Sequence, residues 1–151
     1  MRLFLISILA ALLSGCGPAP HAEWAVEYDR LIAELSAIPR AGGVIAEFGR
    51  FYDVCDRLQA HVEHAPVGID RLMDALVTAD NATLRAGAAE VLGRTGDPRV
   101  PRFCVATLDY PDPFVRERAA KALSRITKQD FGEDRNAWQK YLDGKAGDHA
   151  P

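Results

Sequence analysis

Apolar residues recur along most of this chain at steps of three and four, the period of a helix with one buried face. From Trp24 to Ile38 the residues Trp24, Tyr28, Leu31, Ile32 and Leu35 share a face, and Pro39 with Gly42-Gly43 ends the pattern. A second helix is predicted over Val44–Val62 on the stripe Ile45, Phe48, Tyr52, Cys55, Leu58 and Val62. Gly49 weakens it by ~1 kcal/mol against Ala, and a bend is expected there. The next predicted helix is Pro66–Thr78, with Ile69, Leu72, Met73, Leu76 and Val77 inward. Ala82–Arg94 follows on Leu84, Ala88, Val91 and Leu92, then Pro98–Leu108 on Val100, Phe103, Cys104 and Thr107, then Pro113–Ile126. The predicted fold class is all-α.

Two of these helices are the same helix written twice. Leu84–Arg94 and Val115–Arg125 superpose at a shift of 31 residues: Arg85 falls on Arg116, Ala88-Ala89 on Ala119-Ala120, Leu92 on Leu123 and Arg94 on Arg125. Upstream, Asn81 falls on Asp112, and Ile69 and Leu72 fall on Val100 and Phe103. Self-similarity at such a period marks stacked helix pairs. The turns agree with it. Asn81 is placed to cap one second helix and Asp112-Pro113 the other, while Asp97-Pro98 is placed to open the first helix of the second unit. Ala at the paired positions lets neighbouring helices approach closely. Arg85 and Arg116 sit about one turn from the capping residues. Arg116 is within reach of Asp112 at i, i+4, or such a pair joins neighbouring repeats.

The first residues have a different pattern. Met1-Arg2 supplies one positive charge, Leu3–Leu13 is an apolar run, and Leu13-Ser14-Gly15-Cys16 closes it. The run falls short of the ~20 residues that span a bilayer and fits a secretory leader. Leu-Ser-Gly-Cys resembles the lipobox of bacterial lipoproteins. That resemblance implies cleavage before Cys16 and a diacylglyceryl group on its thiol. Several acyl chains, at ~0.8 kcal/mol per buried CH₂, make a stable anchor. Gly17 stands where an Asp favours inner-membrane retention, so the resemblance implies the outer membrane as the address. Gly17-Pro18-Ala19-Pro20 reads as a tether.

Composition adds mostly exclusions. Apolar residues are 48% and charged residues 26% of 151, with a net charge of −3, which is ordinary globular composition without a basic nucleic-acid footprint. His61 and His64 flank Glu63 near a helix end, but nothing completes a metal-ligand set, so they read as solvent-facing residues. No metal and no cofactor is assigned. Cys55 and Cys104 lie on apolar faces and read as buried thiols, with a bridge open to them outside the cytoplasm. No phosphate loop and no nucleophile–base set is present, so no catalytic residue is assigned.

The pattern N/D-x-x-L/V-R-x-x-A-A-x-x-L-x-R, with Gly96-Asp97-Pro98-Arg99-Val100-Pro101 between units, resembles the short HEAT-like repeats of the phycobilisome-lyase type over residues 66–127. The closing segment after it, with Asp134 as cap and Trp138, Tyr141 and Leu142 as cover, resembles the end of such repeats. The expected organisation is a leader at 1–15, a tether at 16–22, N-terminal capping helices at 23–65 and two repeats at 66–127. A C-terminal cap at 128–144 and a flexible tail at 145–151 complete it. The expected architecture is a short α-solenoid with a helix pair at each step. Its second helices should line one face with Glu90, Arg94, Glu117, Lys121 and Arg125 outward, a candidate surface for a protein partner. The expected function is a lipid-anchored, non-catalytic interaction scaffold. The repeat type also implies an alternative, a lyase or isomerase acting on a bound chromophore, which would need a deep apolar groove holding a cysteine or histidine.

Overall fold

The computed structural model describes residues 20–41, 44–45, 47–63 and 66–147. The leader, Leu13, Ser14, Gly15, Cys16, most of the expected tether, His64 and the last four residues lie outside these. The elements are α1 (Pro20–Ser36), β1 (Arg40–Ala41), β2 (Val44–Ile45), α2 (Phe48–Glu63), α3 (Pro66–Thr78), α4 (Ala82–Thr95), α5 (Val100–Thr107), α6 (Pro113–Thr127) and α7 (Arg135–Gly147). The fold is all-α and solenoid-like, with one two-residue antiparallel ladder in which Arg40 stands opposite Ile45. Among the described residues no helix is long and apolar enough to cross a membrane.

The helices form pairs whose first members and second members make two layers. α3 packs on α5 and α5 on α7; α2 packs on α4 and α4 on α6, and α1 reaches both α2 and α4. The α4–α6 contact is the most extensive in the molecule. The helices at 23–65 cover the first repeat with Tyr28, Leu31, Leu35, Phe51, Val54, Leu58 and Val62, all buried. At the other end Trp138 is fully buried against Phe131, and its indole N–H donates to the Gly132 carbonyl at 2.8 Å. Asp134 caps α7 by accepting from the Ala137 amide at 3.0 Å.

Several boundaries differ from the sequence expectation, each for a local reason. Pro20 opens α1 inside the expected tether, because a proline costs nothing in the first turn of a helix. α2 starts at Phe48 rather than Val44, since Val44 and Ile45 spend their backbone groups on the ladder to Arg40–Ala41. The buried stripe of α2 therefore runs through Phe51, Val54, Cys55, Leu58 and Val62, while Phe48 is 42% exposed. Gly49 falls in the first turn of α2. α5 begins at Val100: the Asp97 carboxylate accepts from the Arg99 amide at 2.9 Å, so Pro98-Arg99 form a turn ahead of the helix. α7 continues to Gly147, three residues into the expected tail.

Candidate interaction face

The second-layer helices α2, α4 and α6 bring the five predicted residues together, but not as a free strip. Glu90 lies on α4 one turn before Arg94, and Glu117, Lys121 and Arg125 follow one another on α6. Glu90 does not point outward. It is 1% exposed, one of an unbroken buried run from Arg85 to Gly93. The repeat explains the error. Glu90 occupies the register of Lys121, and that position is exposed on α6, where among the described residues no further second helix packs. In the central unit α2 covers one flank of the helix and α6 the other.

A buried carboxylate is stable only when paired, and Glu90 has three guanidinium partners. Arg94 donates to its Oε1 from Nε at 3.0 Å and from Nη2 at 2.8 Å. Arg125 donates to the same oxygen at 2.8 Å, and Arg118 donates to Oε2 at 3.4 Å. Burial pushes the Glu90 carboxyl up, but the hydrogen bonds from Arg125 and Arg94 outweigh it and hold it below the usual range. The network extends to α2: Arg94 also pairs with Asp56, and Arg118 donates to the Tyr52 hydroxyl at 2.6 Å. Arg118 lies over the Phe114 ring at 4.7 Å from its centroid. Lys121 donates to Glu117 at 2.5 Å, and Glu117 lies 3.6 Å from Arg118. One carboxylate thus ties three helices of the layer.

Arg118, Tyr52 and Asp56 were not predicted as members. A signal for Arg118 was present: it falls three residues after buried Val115 and four before buried Ala122, so the helical period puts a cation on the apolar stripe.

The repeat arginines have another task. Arg85 donates from Nη1 to the carbonyls of Leu76 and Val77 at 2.8 and 2.9 Å, and from Nε and Nη2 to that of Ala79 at 3.1 and 2.7 Å. These are carbonyls at the end of α3 that the helix itself leaves unpaired. Arg116 does the same one unit later, donating to Tyr110 and Pro111 carbonyls at 3.0 and 2.9 Å. It does not turn to Asp112. Its Nε bonds Glu133 at 2.7 Å, and Asp112 is paired instead with Arg40, which donates to Oδ1 at 2.8 Å. Asn81 caps α4 by accepting from the Leu84 amide at 2.9 Å, and Asp112 caps α6 by accepting from that of Phe114 at 2.9 Å.

The family model described as HEAT repeats matches residues 69–135. The segment carries HEAT-like repeats. The match begins inside α3 and closes at the start of α7, so it takes in both repeat arginines, both caps and Glu90 with its three arginines, but not Tyr52 and Asp56 of α2. No curated protein and no solved structure matches the chain.

Shallow grooves open on the HEAT-like stack, two of them among the described residues. One, about 440 Å³, lies between α1 and α3 over Tyr28, Ile32, Val67 and Ala75. The other, about 450 Å³, lies beside α7 over Phe131, Tyr141 and two lysines, Lys140 and Lys145. Neither is lined by a cysteine or histidine. Cys55 and Cys104 are free and buried, and burial pushes both thiols up to about 12. His61 is engaged with Trp24: the rings stack at 4.9 Å, the indole N–H donates to the His61 carbonyl at 3.1 Å, and His61 Nε2 lies 2.9 Å from the Trp24 carbonyl. The clasp joins α1 to α2. Among the described residues no three His, Cys, Asp or Glu side chains converge as a metal site.

Proposed function

We propose that the chain is a lipid-anchored, non-catalytic scaffold of the bacterial envelope that docks a protein partner on the α2–α4–α6 face. The observation that carries the reading is the Glu90 cluster on the second-helix layer of a HEAT-like stack. It holds Arg94 and Arg125 in fixed orientations at a surface, with Arg118 buried behind them, and a fixed side chain loses little freedom on binding. Solenoids use such layer faces to bind other proteins. The anchor half of the reading rests on Leu13-Ser14-Gly15-Cys16 at the end of an apolar run, and Gly17 favours the outer membrane over the inner.

Two arms of one experiment test it. Cells expressing wild type or Cys16→Ala are labelled with palmitate and fractionated. Wild type takes up label and sediments with membranes; a mutant that still does both refutes the anchor. Crosslinking and affinity capture in the same intact cells should return a specific envelope protein with the wild type, and Arg125→Glu should release it. Return of no partner refutes the scaffold. Arg94 and Arg125 both support the buried Glu90, so a charge reversal at either is read beside a melting curve that shows the variant to be folded.

A further inference from the structure

Three features of the α4–α6 surface point to the chemistry of what it binds, and this step rests on the scaffold reading of the same face. The first is charge. Arg94, Arg118, Lys121, Arg125 and Lys128 gather against three carboxylates, Asp56, Glu90 and Glu117, in a chain whose net charge is −3. The surface is a local cationic exception on an anionic protein. Asp53 forms its own pair with Arg57 at 3.4 Å, and exposed Asp130, two residues past Lys128, leaves the excess at one cation.

The second is the state of Arg125. It is 44% exposed at its side chain, and only Nη1 is spent, on Glu90. Among the described residues its Nε and Nη2 have no acceptor. Those two N–H groups form one edge of the planar fork, and that edge matches the two oxygens of a carboxylate. Glu90 fixes the inner edge, so the outer edge is presented in one orientation. Lys128, three residues on, is exposed and makes no ion pair among the described residues. Together they place a fork in the last turn of α6 and a point charge at the left-handed residue that caps it.

The third is what surrounds them. Glu117 and Asp56 lie in the same face, each about half exposed or more. A flat anionic membrane would press phosphates against these carboxylates as well as against the cations. A polypeptide can place acidic side chains over Arg125 and Lys128 and keep them off Glu117 and Asp56.

We infer that the α4–α6 face is a docking site for an acidic segment of a partner protein, with the outer edge of Arg125 taking a carboxylate bidentately and Lys128, at the cap of α6, taking a second. The probes are a fluorescent 14-residue Glu-rich helical peptide, a Lys-rich peptide of equal length, and vesicles of phosphatidylglycerol and phosphatidylcholine. Each is titrated against the full, detergent-solubilised protein. The acidic peptide should bind saturably, and binding should fall on the order of tenfold when salt rises from low to physiological strength. Arg125→Gln with Lys128→Glu should weaken it by about tenfold or more. Those two changes leave Arg94 and Arg118 on Glu90, and circular dichroism and thermal melting establish that the variant folds; Lys128→Glu alone serves if the pair does not. Equal binding of the two peptides, indifference to the substitutions, or preference for the anionic vesicles overturns the inference. A photo-crosslinker at exposed Gln129, beside Lys128, separates this from the broader reading in intact cells. A partner still crosslinked in full by the charge variant leaves the scaffold standing and removes the acidic-segment inference; no crosslinked partner removes both.

Discussion

Gly93 and Ala122 touch where α4 crosses α6: a Cβ built on Gly93 would stand 2.7 Å from the Ala122 Cα and 2.8 Å from its Cβ. The obstacle is backbone, which cannot swing aside as a side-chain tip can. The most extensive helix contact of the protein therefore depends on the absence of one carbon. Gly93→Ala gains ~1 kcal/mol of helix propensity but forces the crossing apart, at a cost typical of overpacking, about 1–3 kcal/mol. The expected outcome is net destabilisation, read as a lower melting temperature. Gly49→Ala is the control. It meets nothing within 4 Å, so it should be neutral or stabilising by a few tenths of a kcal/mol.

Glu90 should dominate the acid response of the stack. Its carboxyl is held below its ordinary value of 4.5, so its contribution is complete above that value. The contribution disappears as pH falls through the lowered folded value. Asp112 acts with the same sign: burial raises it, but the hydrogen bond from Arg40 outweighs this and holds it low. Denaturation midpoints should thus fall steeply below about pH 4.5. Glu90→Ala should cost about 3–5 kcal/mol at pH 7, because three guanidinium groups lose their common partner. The variant should also show a shallower decline in acid. An unchanged slope would mean that the cluster does not hold Glu90 ionised.

Arg85 and Arg116 offer a test of geometry over charge. Lysine keeps the charge but cannot fork across several carbonyls. Arg85→Lys should cost about 1.5–3 kcal/mol, since it gives up charge-assisted bonds to Leu76, Val77 and Ala79. Arg116→Lys should cost less, because Arg116 is more exposed than Arg85. Equal, negligible losses in urea denaturation would remove the helix-end role from both.

What the sequence revealed and what it hid divide along locality. The caps Asn81, Asp112 and Asp134 were legible because an N-cap acts within three residues of itself. The 31-residue repeat was legible because each unit carries the same local pattern. Glu90 was misplaced because its exposure depends on α2 and α6, helices about thirty residues away in either direction. The same holds for Val44–Ile45, whose strand pairing competes with a good helical stripe, and for Asp112, whose partner Arg40 lies 72 positions upstream. Arg116 bonds carbonyls five and six positions back, beyond the i, i+4 rule from which an ion pair with Asp112 was expected.

The two buried thiols can report the order in which the stack comes apart. Cys55 belongs to α2, in the N-terminal cap, and Cys104 to α5, inside the repeats. Burial pushes both up to about 12, so at pH 8 neither supplies an appreciable thiolate, and the thiolate is the reacting species. Exposed in the unfolded chain, each returns towards ~8.5 and reacts readily. In a Cys16→Ala protein, a thiol reagent at pH 8 should find neither group within minutes in buffer and both in strong denaturant. Intermediate urea decides between two mechanisms. If α2 is a cap that lifts while the repeats persist, Cys55 labels at lower denaturant than Cys104. If Glu90 locks α2, α4 and α6 into one unit through Arg94–Asp56 and Arg118–Tyr52, the two label together. The structure favours the second outcome, and Glu90→Ala should convert it to the first. Early labelling of Cys55 in the unmodified network would show that the charged cluster does not fasten the cap to the repeats.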